Sequence, residues 1–209
     1  AYGSLTTANQ AQVNLDFNES GSLTQMQAQA ASIQHTQGNS SLSLENGTLN
    51  ADFSEDGLLS NVQASVATLT HVQDGNTLNV TDGQAQLTFG ESGSLSHLNA
   101  QAQNLQHTQG SNTVEISNGL LNADFSEDGL LSSMQASADT LMHVQDGNAL
   151  NITDGALDLG FDENGALSQI EASVTNGSYN GDFGSVTLSQ GADFNATYNN
   201  GLLSSMNAS

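Results

Sequence analysis

LNADFSEDGLLSNVQASVATLTHVQDGNTLNVTDGQAQL, Leu49 to Leu87, is the stretch that decides the fold. It opens on an alternating run, Leu49, Ala51 and Phe53, which places apolar side chains on one side of a strand. Ser54-Glu55-Asp56-Gly57 follows, and glycine in the fourth place suits a type I turn closed by a G1 bulge. A second strand carries Leu59, Val62, Ala64 and Val66; the three-residue step from Leu59 to Val62 predicts a bulge. A third, with Leu69 and His71, ends at Gln73-Asp74-Gly75. A fourth, with Leu78 and Val80, ends at Thr81-Asp82-Gly83. Four short strands are expected here. No apolar stripe of helical period survives across the glycines, and the absence of proline leaves every strand admissible inside a sheet.

The same pattern recurs every 36 residues in both directions. Gly21, Gly57, Gly93, Gly129, Gly165 and Gly201 form one column; Leu23, Leu59, Leu95, Leu131, Leu167 and Leu203 form another. Phe17, Phe53, Phe89, Phe125 and Phe161 form a third, with Thr197 in the sixth place, and Gly47, Gly83, Gly119, Gly155 and Gly191 a fourth. A 72-residue period lies over it: LNADFSEDGLL occurs at Leu49–Leu59 and at Leu121–Leu131. Residues 1–209 therefore read as one all-β repeat domain of about six units, breaking near 11, 47, 83, 119, 155 and 191. Two architectures fit: an elongated antiparallel, open jelly-roll-like sandwich, which the hairpin turns favour, or a parallel β-solenoid. In either, the Phe and Leu columns and an Ala column, Ala28, Ala64, Ala100, Ala136, Ala172 and Ala208, stack into a continuous narrow core.

The quoted unit, with its acidic Gly turn and short strand pair, resembles the OstA-like repeat of lipopolysaccharide-transport bridge proteins. That resemblance covers nearly the whole chain. It implies a V-shaped antiparallel jelly roll that joins end to end, with a groove that holds lipid acyl chains.

Composition narrows the partners. There are 22 acids, no Lys and no Arg. Binding to nucleic acid or to an anionic membrane surface needs cationic side chains, so both are excluded as expected partners, and an anionic lipid is a poor fit. Without cysteine there are no disulfides and no thiolate metal sites.

Among chemistry-bearing residues the histidines stand out: His35, His71, His107 and His143 are 36 residues apart, with Tyr179 in the fifth place. Read as a ladder, they are polar rungs hydrogen-bonded along the column with Gln37, Gln73, Gln109 and Gln145, too widely spaced to share a metal. The turn acids Glu19, Glu55, Asp56, Glu91, Glu127, Asp128 and Glu163 are weak candidates for Ca²⁺, without the spacing of an EF-hand. Solvated turns are the simpler reading, and no cofactor is expected. No nucleophile elbow, Lys base or Arg clamp is present, so the chain reads as non-enzymatic.

Function is expected to lie in self-assembly. Edge strands are usually guarded by Lys or Pro, and this chain has neither. Leu5, Thr6 and Ala8 near one end, and Leu202, Leu203, Met206 and Ala208 near the other, are the expected interface of a head-to-tail homopolymer. The expected role is a structural filament subunit, extracellular or at the cell surface. The alternative is a periplasmic or cell-surface bridge or adhesin module that binds lipid or glycan.

Overall fold

From Leu23 to Phe161 each 36-residue unit forms two long strands, not four short ones, because its two X-Gly pairs act differently, Asp74-Gly75 and Asp82-Gly83 in the quoted unit. The expected four short strands form only between Leu167 and Asn199. At Asp74-Gly75 both residues take positive φ, 50° and 84°, and the chain reverses in a two-residue hairpin that pairs Gln73 with Asn76. At Asp82-Gly83 only Asp82 does, at 48°. One left-handed residue tilts a strand without reversing it. Thr81 stays paired with Thr68 and Gly83 with Val66; Ala67 and Asp82 alone leave the ladder. Neighbouring strands therefore bend together, with Asn46, Asn118 and Asp154 in the same role at φ near 50°.

This computed structural model describes residues 4–8, 10–182, 184–199 and 202–209; Gly201 of the repeat column lies outside them. The strands, in chain order, are β1 (Ser4–Ala8), β2 (Gln12–Phe17), β3 (Leu23–Gln37), β4 (Ser40–Phe53), β5 (Leu59–Gln73), β6 (Asn76–Phe89), β7 (Leu95–Gln109) and β8 (Asn112–Phe125). Then come β9 (Leu131–Gln145), β10 (Asn148–Phe161), β11 (Leu167–Val174), β12 (Asn176–Gly181), β13 (Gly184–Leu188), β14 (Ala192–Asn199) and β15 (Leu202–Ala208). All pair antiparallel in one 15-stranded sheet. The parallel solenoid does not form, since every 36-residue unit returns on itself through a hairpin.

The shared bend divides the sheet into two walls. β3 to β10 cross both. The first wall also contains β2, β11, β14 and β15, and the second contains β1, β12 and β13.

The local expectations from the repeat hold in detail. Gly57 has φ 78°, its N–H donates to the Ser54 carbonyl at 2.9 Å, and Ser54 N–H donates to the Leu58 carbonyl at 2.8 Å: a type I turn with a G1 bulge. Phe53 pairs with Leu59 across a register shift, the bulge predicted from the Leu59-to-Val62 step. The 72-residue period is a turn alternation. Gly38 and Gly110 supply a left-handed first position at two hairpins, whereas Asp74-Gly75 and Asp146-Gly147 supply two left-handed residues at the others. Thr197 does not break the aromatic row: a register shift brings Tyr198 opposite Leu203, as Phe17 stands opposite Leu23.

The expected closed core is absent among the described residues. Ala51, Ala123 and Ala196 are the only buried apolar residues, and no large side chain is fully buried. The apolar columns line one face of a single bent sheet instead. Backbone ladders hold that sheet, together with cross-strand pairs worth roughly 0.2–1 kcal/mol each. With no Lys or Arg to pair the acids, amide ladders stand in on the outer face, such as Gln29 Nε2 to Gln12 Oε1 at 2.9 Å and Gln101 Nε2 to Gln84 Oε1 at 3.0 Å.

Candidate functional site

Between the two walls runs a groove of about 1180 Å³. Its floor is small because the bend demands it. Ala30 pairs with Gly47, Val66 with Gly83, Ala102 with Gly119, and Ala138 with Gly155. Above the floor, the second wall carries an aliphatic rung: Ile33, Leu44, Leu69, Val80, Leu105, Ile116, Leu141 and Ile152 are consecutive cross-strand partners. The first wall answers with Ala28, Leu49, Ala64, Ala85, Ala100, Leu121, Ala136, Leu157 and Ala172. Alanine leaves space between the walls, and three alanines stand in succession at Ala64, Ala85 and Ala100. At about 4.8 Å per strand, the lined stretch from β2 to β11 is roughly 43 Å long.

Strand alternation then sorts every polar group. One rung above the aliphatic row of the second wall come His35, Leu42, His71, Leu78, His107, Val114, His143, Leu150 and Tyr179, again consecutive partners. The histidines alternate with aliphatics, so successive imidazoles stand two strands, roughly 10 Å, apart. Among the described residues no hydrogen bond joins these histidines to Gln37, Gln73, Gln109 or Gln145, each of which stands two residues further along the same strand, roughly 7 Å on. Those glutamines form the rim rung, facing Ser40, Asn76, Asn112 and Asn148 across the hairpins. On the first wall the upper rungs remain apolar, through Met26, Ala51, Val62, Leu87 and Leu98 to the Phe and Leu columns.

None of the 22 carboxylates occupies an inner rung. They sit on the outer face, at the bends, or in the turns. Asp193 alone borders the groove's far end, in a hollow with Ala192, Phe194 and Ala208. Glu19, Glu55, Asp56, Glu91, Glu127, Asp128 and Glu163 lie in successive turns along the tip of the first wall. Among the described residues no group of three or more His, Cys, Asp or Glu stands close enough to hold a metal ion. His97, outside the column, is on the outer face, where its Nδ1 meets Asp124 Oδ1 at 2.7 Å. The bond from His97, and then one from Ser133, hold the Asp124 carboxyl below the usual aspartate range.

The expected interface residues fall on opposite edges. Leu5, Thr6 and Ala8 belong to β1, which among the described residues pairs only with β3. Leu202, Leu203, Met206 and Ala208 belong to β15, which pairs only with β14. β15 is in the first wall, so its counterpart on the opposite edge is β2, which the sequence reading did not single out. There Val13, Leu15 and Phe17 are 63%, 49% and 59% exposed, against 74%, 55% and 61% for Leu202, Leu203 and Met206. The signal was available, because these residues fill the same repeat columns as half-buried interior ones.

The chain matches no protein-family model, and no curated protein is similar to it in sequence.

Proposed function

We propose that this chain is a non-catalytic bridge module at the cell surface, in the periplasm or outside the cell, whose groove holds the acyl chains of an amphiphile. The observation that carries this reading is the predominantly apolar lining from β2 to β11, with no closed core behind it. Burying a methylene is worth about 0.8 kcal/mol, so an open apolar gutter of this length gains most from a long hydrocarbon. The polar rim and the carboxylates on the outer side fit a container that stays in water while its contents do not. The resemblance to the OstA-like repeat points the same way. The test is direct: purified protein should take up a radiolabelled or fluorescent long-chain lipid mixed one to one, and a groove that stays empty across neutral, zwitterionic and acidic lipids refutes the reading.

The second reading, a head-to-tail structural filament, has its own support in the exposed apolar residues of β2 and β15 on opposite unpaired edges. The two are compatible, since copies joined through the first wall would extend one groove into the next. Repulsion between subunits of net charge −22 would make such assembly depend on salt or divalent cations. Electron microscopy across salt and Ca²⁺ concentrations separates filaments from monomers.

A further inference from the structure

The groove is polarised from floor to rim, and its charge is sorted by face. The second wall runs from Ala and Gly at the floor, through an unbroken aliphatic rung, to the histidine rung and then to Gln and Asn. The first wall stays apolar over the same height. All 22 carboxylates are excluded from the inner rungs, yet four of the five histidines are on one. In a chain without Lys or Arg, those four are the only inward side chains able to become cations.

We propose that His35, His71, His107 and His143 form a head-group site for amphiphiles with an acidic head, phosphate or carboxylate, and that proton uptake by this row tightens the binding. The inference rests on the acyl-chain reading of the groove and names its ligand class. A chain lying along the aliphatic rung ends one rung below the imidazoles, about 7 Å, so its head meets the histidine row rather than the floor. Imidazole gains its proton between about pH 8 and pH 5. A neutral imidazole row is merely polar. A protonated one is a line of donors matched to an anion. Composition alone spoke against an anionic ligand; the placement of the histidines reverses that.

The surroundings of the row contain few competing charges. Its cross-strand neighbours are Leu5, Leu42, Leu78, Val114 and Leu150, with Tyr179 one strand beyond Leu150. On the facing wall the inner rungs carry nothing ionisable. The nearest carboxylates along the strands are Asp74 and Asp146 at the hairpin tips, where each is already bonded to the neighbouring tip, at Asn39 and Ser111. Asp182 follows β12, and Glu45 and Glu115 occupy outer rungs of the same wall.

The experiment compares palmitoyl lysophosphatidic acid with palmitoyl lysophosphatidylcholine, both as monomers, by calorimetry near pH 5.5 and pH 8. Expected is tightening for the acidic lipid at low pH by about tenfold, the worth of one charge-assisted hydrogen bond, and little change for the zwitterionic one. A variant with His35, His71, His107 and His143 all changed to Gln keeps every carboxylate, so it should bind both lipids with no such preference. In the unaltered protein, the Cε1–H resonances of those four should move with the acidic lipid while that of His97 does not, a readout that stands even if the fourfold variant folds poorly. Equal affinity for both lipids at both pH values, or a preference that persists in the variant, overturns the histidine site and leaves the groove reading intact. Failure of both lipids to bind at any pH overturns both.

Discussion

A Cβ added to Gly83 would come within 2.9 Å of Val80 Cγ1, three residues back on the same strand, and within 3.1 Å of Val66 Cγ1 across the pair. The bend closes because this position has no side chain. Gly83→Val should therefore force the two valines apart at the floor, at a cost of about 1–3 kcal/mol typical of overpacking. Gly155→Val should cost less, because its Cβ would meet only Ile152 Cγ2 at 3.2 Å. Urea titrations followed by circular dichroism would rank the two midpoints; an unchanged midpoint for Gly83→Val would mean that the bend tolerates a side chain.

Ala85 stands between Ala64 and Ala100 on the inner face of the first wall. Ala85→Phe projects a ring toward the aliphatic rung opposite without displacing anything buried. Long-chain lipid uptake should fall at least about tenfold, a loss of 1.4 kcal/mol, while the thermal midpoint stays within a few degrees. Retained uptake would place the lipid elsewhere.

Asp124 offers a pH-dependent prediction on the outer face. Its pKa is lowered in the folded state by the His97 and Ser133 bonds. A lowered carboxyl contributes stability above the unfolded-state value and loses it as the pH falls through the folded one. His97→Gln should return the Asp124 titration toward the ordinary aspartate range, visible in the carboxyl carbon resonance. The stability difference from the unaltered protein should vanish in strong acid, where Asp124 is protonated in both. At half-exposed positions the effect should stay below about 1 kcal/mol.

How much of this was legible from residues alone depends on what a dipeptide can encode. Ser54-Glu55-Asp56-Gly57 specified its turn, because only Gly57 needs a positive φ and the residues around it are ordinary. Asp74-Gly75 and Asp82-Gly83 are the same letters. Whether the second residue also turns left-handed is decided by pairing across to Val66, a long-range register that no local motif carries. Four strands were therefore expected where two form. The groove was hidden for the same reason: once those segments fuse and bend, columns that looked like a closed core become two facing walls. The histidine column was plain at its 36-residue spacing, but its alternation with Leu and Val requires the antiparallel order of β3 to β10.

The pairing between neighbouring repeats also fixes what an end-to-end junction must look like. Inside the sheet, Val62 of β5 pairs with Leu87 of β6. By the repeat, Met206 of β15 occupies the column of Val62, and Leu15 of β2 that of Leu87. If copies join through the first wall as interior strands do, Met206 lies opposite Leu15 of the partner subunit. Ala208 then lies opposite the partner subunit's Val13, as Ala64 lies opposite Ala85. The chain has no cysteine, so a pair of variants can read this register cleanly. Leu15→Cys and Met206→Cys in one chain bring two thiols to directly opposite positions, about 4.5–5.5 Å between Cα atoms, within the range a disulfide spans. Oxidation under assembling salt should give ladders of covalent multimers on a denaturing gel. Asp16 and Asn18 turn their main-chain groups toward β3, so those of Val13 face the open edge; Val13→Pro, which removes a donor there, should reduce them to monomer. Cross-linking that is equally efficient with the cysteine moved from Leu15 to Asn14, which faces the other side of the strand, would mean that contact between copies has no fixed register and that the edges do not assemble as sheet.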